Sequence, residues 1–189
     1  MFNQITGLVL AGGLSSRMGT NKALLKIENE TLLDRTLRFL KHIGCPDVLV
    51  SGQYDGYHCV NDHEQLGPLS GIYAGLKACE TEKMLILPVD MPYMSIDLLQ
   101  LLGRLRFDSA GACYLDQPFP MLLRKSDETL DLLTHLLSEA TPENQRSLFR
   151  FIKLAHITML PISPIYHDCF KSTNTPEEWQ KYLQHLSEQ

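Results

Sequence analysis

The run Leu8-Val9-Leu10-Ala11 empties directly into Gly12-Gly13-Leu14-Ser15-Ser16-Arg17-Met18-Gly19-Thr20-Asn21-Lys22. An apolar run of this kind reads as a buried strand. The strand must end in a loop of small residues, where glycine lets backbone N–H groups approach a ligand closely. Arg17 and Lys22 then supply two cations within ten residues of Gly12. Backbone donors joined by positive side chains after a strand suit a polyphosphate. The loop therefore reads as a nucleotide site.

It matches neither of the two commonest phosphate loops. A P-loop has four residues between its glycines and then Gly-Lys-Ser/Thr. Here five residues separate Gly13 from Gly19, and Lys22 stands two beyond Thr20. The dinucleotide fingerprint G-x-G-x-x-G fails because Gly12 and Gly13 are adjacent, which disfavours a nicotinamide oxidoreductase.

Strand and helix patterns alternate along the chain. Residues 5–11 read as the first strand, and Thr31 caps a helix over 32–43 that Gly44 stops. Asp47 to Val50 reads as a short strand, and Gly67-Pro68 opens a helix through Ala78. Met84 to Val89 is a strongly apolar strand, and Ser95 caps a helix over 96–105. Beyond residue 110 the pattern loosens into strands over 110–115 and 119–123, helices over 130–137 and 147–154, and a last helix opened by Pro176. This alternation predicts an α/β fold with helices on both faces of a mainly parallel sheet. Neither a repeat nor a linker divides residues 1–189, so a single domain is expected. In such sheets the ligand lies at the carboxyl ends of the strands, where the loop after residue 11 stands.

Three further stretches carry chemistry. Leu87-Pro88-Val89-Asp90-Met91-Pro92 sets an acid just beyond a buried strand, a place from which a carboxylate can hold Mg²⁺ against substrate phosphates. Gly67-Pro68-Leu69-Ser70-Gly71 puts glycines around a helix start, where a flat ligand can approach backbone. Near the end stands Phe170-Lys171-Ser172-Thr173-Asn174-Thr175-Pro176-Glu177-Glu178. Asn174 there reads equally as a ligand contact and as a turn residue before Pro176.

With 17 Lys+Arg against 22 Asp+Glu, the net charge of −5 argues against broad binding of nucleic acid or anionic membrane. No apolar run approaches the roughly 20 residues that span a bilayer, and residues 1–6 lack a basic signal region, so a cytoplasmic location is expected. The five cysteines are scattered, which favours reduced, packed thiols over disulfides. The seven histidines show no zinc spacing.

Leu-Ala-Gly-Gly-x-Ser-x-Arg-Met-Gly-x-x-Lys resembles the loop of the nucleotidylyltransferases with a Rossmann-like fold, and most closely that of the molybdenum cofactor guanylyltransferases. Gly-Pro-Leu-x-Gly, Asp-x-Pro and the close around Asn174-Thr175-Pro176-Glu177 come in the family's order, from about residue 6 to about residue 180. Ser172 and Ser51 depart from the family, which has asparagine at the first position and often at the second. The resemblance implies a Rossmann-like three-layer fold. It implies a nucleotide site of Leu10, Ala11, Gly12, Gly13, Lys22, Ser51, Asp62, Gly67, Pro68, Gly71 and Asp90, with Arg17, Lys22 and Asp90 catalytic and Asp90 the metal ligand. Gln117, Arg146 and Asn174 would meet the acceptor. Ala-Gly-Gly at 11–13, rather than Ala-Ala-Gly, tilts the base toward guanine.

The implied reaction is transfer of GMP from Mg²⁺-GTP to the terminal phosphate of molybdopterin or its molybdenum-bearing form, releasing pyrophosphate. The implied partners beyond GTP and the molybdenum cofactor are cofactor insertion proteins and molybdoenzyme apo-proteins. The alternatives are a nucleotidylyltransferase of the same fold that uses CTP or a sugar phosphate, and a GTP-binding module without chemistry.

Overall fold

The computed structural model describes residues 4–12, 21–61 and 66–188. Strand β1 (Ile5–Leu10) is followed by a 3₁₀ turn (Lys22–Leu24), a small hairpin of β2 (Lys26–Ile27) and β3 (Glu30–Thr31), and helix α1 (Leu32–His42). Next come β4 (Val48–Ser51), β5 (Cys59–Val60), α2 (Pro68–Ala78), β6 (Lys83–Pro88) and α3 (Ile96–Gly103). The second half carries β7 (Gly111–Tyr114), β8 (Gln117–Arg124), α4 (Asp127–Leu137), α5 (Leu148–Leu154), β9 (Thr158–Leu160) and α6 (Pro176–Ser187).

The main sheet has the order β5-β4-β1-β6-β8-β7-β9. β8 alone runs against the rest, pairing antiparallel with β6 and β7 while the other pairings are parallel. The mainly parallel expectation therefore holds. β7 and β8 face each other as a hairpin, closed by Asp116 in the left-handed region at φ 58°.

Period-two alternation along β6 builds the layers. Met84 and Ile86 face the core shared with α2, α4 and α5, while Leu85 and Leu87 face the core shared with α1 and α3. All four are at most 1% exposed, so both faces of the sheet are covered. A smaller cluster sets Trp179 and Tyr182 of α6 against Leu32 at the start of α1.

The helix starts coincide with their capping residues. The side chains of Thr31, Ser95, Ser126, Ser147 and Thr175 each accept from a backbone N–H in the first turn of their helix. Several boundaries differ from the sequence expectation. β1 ends at Leu10, β4 begins at Val48, and α4 starts three residues earlier than the apolar spacing indicated, because Ser126 caps it. The strands β2, β3, β5 and β9 are only two or three residues long, too short for an apolar period to mark them.

Candidate active site

The chain leaves β1 toward β4 and leaves β6 toward the other half of the sheet. The two neighbouring strands thus open a crevice at their carboxyl ends, the usual ligand position in open α/β sheets. Register carries the pairing to the rim, with Leu10 opposite Pro88 and Val89 N–H donating to Leu10 O at 3.2 Å. Asp90 comes directly after.

Lys22 enters the crevice from the β1 side. Asn21 caps the turn Lys22–Leu24 by accepting from Ala23 N–H at 3.1 Å, which fixes the point from which the lysine departs. Lys22 Nζ donates to Asn174 Oδ1 at 2.7 Å and lies 3.8 Å from Asp90 Oδ2. The side chains of Lys22 and Asp90 retain 16% and 28% of their exposure, so both charges are recessed yet accessible. Burial pushes the Asp90 carboxyl above its ordinary range, and the Lys22 ammonium pulls it back in part.

Asn174 is held from several sides. Its Nδ2 donates to Ser172 Oγ at 2.7 Å, which turns Oδ1 toward Lys22. Glu178 Oε2 accepts from both Asn174 N (2.5 Å) and Thr175 N (3.1 Å), as part of the capping box that opens α6. Thr173 N–H donates to Asp90 O at 2.9 Å, tying this segment to the loop after β6. Ser172, a departure from the family pattern, therefore serves as the acceptor that orients the amide.

A second group gathers on the β4 side. A Cβ on Gly71 would stand 2.5 Å from Ser51 Oγ and 3.1 Å from Leu10 Cδ2, so only glycine brings the start of α2 this close to the strand ends. Gly12 is nearby, its hypothetical Cβ 3.4 Å from Ser51 O. Gly67 precedes Pro68 as the cap of α2 at φ 82°, and Ser70 Oγ donates back to Gly67 O at 2.8 Å. Leu10, Gly12, Ser51 and Gly71 thus line one end of the sheet with Lys22 and Asp90.

The acceptor candidates fall differently. Because β8 runs antiparallel to β6, its first residue, Gln117, lies at the end of the sheet where β6 finishes. Arg146 directs Nε to Thr141 O and Nη2 to Ser138 O, both at 2.9 Å, and braces the turn after α4. Gly13, Arg17 and Asp62 lie outside the described residues. Two residues that hold the site, Thr173 and Asn21, are not singled out by the sequence motifs. The capping pattern Asn21-Lys22-Ala23 is the available signal for the second.

A lone carboxylate at a strand end is how Mg²⁺ is ordinarily held, the remaining ligands being substrate phosphates and water. Asp90, partly exposed in the crevice, fits that arrangement. Among the described residues no group of three or more His, Cys, Asp or Glu could cage a metal without a substrate. No helix of the described residues is long and apolar enough to cross a membrane.

The MobA-like NTP transferase domain matches residues 7–157. The chain is 35% identical over 183 residues to the molybdenum cofactor guanylyltransferase of Xanthomonas euvesicatoria, covering 94% of each. It is 32% identical to that of Polynucleobacter asymbioticus, covering 92% of this chain and 93% of the relative. Among solved structures, molybdopterin-guanine dinucleotide biosynthesis protein A from Archaeoglobus fulgidus superposes with a TM-score of 0.75 at 16% identity. That superposition covers 97% of this chain and all of the other, and speaks for the fold.

Proposed function

Because the chain belongs to the MobA-like NTP transferase family, and within it to the molybdenum cofactor guanylyltransferases, we propose that it transfers GMP from GTP to the terminal phosphate of molybdopterin or its molybdenum-bearing form. The enzyme is a nucleotidyltransferase. The observation that carries the reading is the convergence of Lys22, Asp90 and Asn174 at the switch point, a recessed cation beside a carboxylate on neighbouring strand ends.

In the proposed reaction an acceptor phosphate oxygen bonds to the α-phosphorus of GTP as the bond from that phosphorus to the β-phosphate oxygen breaks. The electron pair leaves with pyrophosphate. The acceptor is already an anion near neutral pH, so the step needs charge neutralisation and alignment more than a general base. Lys22 supplies a cation whose position Asn174 fixes, and Arg17 supplies a second. Leu10, Ala11, Gly12 and Gly13 contribute the phosphate-binding backbone, while Ser51, Asp62 and the stretch Gly67, Pro68 and Gly71 frame the nucleotide. Asp90 would hold Mg²⁺, which when bound supplies Lewis-acid neutralisation of phosphate charge. Gln117 and Asn174 would meet the acceptor, supported by the position of Gln117 at the same end of the sheet and by the bond from Lys22 to Asn174.

The test is pyrophosphate release from GTP, CTP and ATP with Mg²⁺, each with molybdopterin, with a sugar 1-phosphate and with no acceptor. Release with GTP and molybdopterin alone is expected. Equal release with CTP, or release driven by the sugar phosphate, would overturn the substrate assignment. GTP binding without release under any condition would make the protein a binding module.

A further inference from the structure

Tyr54 stands outside the residues just assigned, yet its hydroxyl touches the main chain at one flank of residues 12–20 and a side chain at the other. Tyr54 Oη donates its one proton in a three-centre hydrogen bond, to Ala11 O at 2.8 Å and to Asn21 Oδ1 at 3.2 Å. Ala11 directly follows β1, and its N–H is fixed on Ser51 O at 3.2 Å. Asn21 caps the turn that carries Lys22. One phenol therefore spans the strand end and the lysine's point of departure.

The tyrosine is itself firmly placed. Its backbone N–H and C=O both meet Cys59 Sγ, at 3.3 and 3.2 Å, which closes the loop between β4 and β5. The ring lies over Gly52, where a Cβ would come within 2.7 Å of Tyr54 Cε2. Tyr57 meets the ring edge-on at 6.4 Å, and its own hydroxyl donates to Asp34 Oδ1 on α1 at 2.9 Å. Burial raises the Tyr54 phenol above its ordinary range.

We infer that Tyr54 is a positioning residue for nucleotidyl transfer, clamping Ala11 to Asn21 so that Lys22 is preorganised against the nucleotide's phosphates. A cation fixed before the substrate arrives costs no reorganisation during reaction, so its placement is felt in the rate. The clamp rests on the proposed assignment of Lys22 to the nucleotide.

The test is a double-mutant cycle of Tyr54→Phe and Asn21→Ala, read in Mg·GTP affinity by calorimetry, in transfer kcat/KM and in Tm. Loss of one neutral hydrogen bond predicts a decrease of about 3- to 10-fold for Tyr54→Phe in affinity or kcat/KM. In the Asn21→Ala background, where the far side of the clamp is already gone, the further decrease should be under about 2-fold. Tm should move by no more than about 6 °C in Tyr54→Phe, the shift expected for one hydrogen bond in a chain of this size. The same fold loss in both backgrounds, no loss in either, or a loss that simply tracks Tm would overturn the clamp. A wild-type enzyme that binds Mg·GTP but does not modify molybdopterin would sink the substrate assignment and leave the clamp readable in the isotherms. A wild-type enzyme that binds no GTP would sink both.

Discussion

Burial pushes the Asp90 carboxyl upward, and the ammonium of Lys22 at 3.8 Å offsets that only in part. An acid whose value is raised by folding contributes stability below its unfolded value and loses it as pH rises through the folded one. Ionising Asp90 is therefore a cost to the folded chain. Asp90→Asn should raise Tm at pH 7 while lowering transfer and weakening its dependence on Mg²⁺. The gain in Tm should shrink as the pH falls toward the ordinary aspartate range. Calorimetry across pH checks this, and a lower Tm at pH 7 would show that the carboxylate supports the fold. Lys22 and Asp90 are both legible in the sequence, because each follows an apolar run that reads as a buried strand. Their meeting with Asn174 is not, since Lys22 and Asn174 are 152 positions apart and only the fold joins them.

At the scale of elements, α6 acts as a brace for the site. Tyr182 is 1% exposed, meets Tyr93 edge-on at 4.6 Å, and donates its hydroxyl to Pro92 O at 3.3 Å. The loop that carries Asp90 is thus tied to a helix beyond residue 157, where the family match ends. Tyr182→Ala should cost about 3–5 kcal/mol, as for a large aromatic removed from a packed cluster. It should also lower transfer at temperatures where the protein is still folded, because Pro92 loses its anchor. Denaturant unfolding and activity at about 20 °C check the two effects, and full activity in the folded variant would reduce α6 to a stabilising role. The helix itself is readable from Thr175-Pro176-Glu177-Glu178, a cap, a proline and acids in the expected order. Its target is not, because a helix's apolar face does not name what it packs against.

For the molecule as a whole, the sheet divides two cores, and each thiol's chemistry depends on its place in them. Cys45 and Cys113 lie in opposite cores and are buried, which pushes their thiols up to about 12 and about 11. Both should resist iodoacetamide at pH 8 in the folded protein and react once it is unfolded. Mass spectrometry of the alkylated peptides checks this, and rapid native labelling of either would show that its core opens. The layered architecture is legible because β1 and β6 are nearly all apolar, as strands covered on both faces must be. The reversal of β8 is not, because an apolar strand looks the same in either direction. It is that reversal which puts Gln117, the first residue of β8, at the end of the sheet where β6 finishes. In the proposed reaction this end of the sheet transfers a nucleotidyl group with Lys22 in contact with the phosphates. The most direct measurement traces label from GTP, carried separately at the α- and the γ-phosphate, into molybdopterin with the wild-type enzyme and Lys22→Ala. Only α-label should enter the product, and Lys22→Ala should slow its entry by roughly 10²–10⁴ with the fold intact. Entry of γ-label, or α-label entering Lys22→Ala reactions at the wild-type rate, would contradict the proposed reaction.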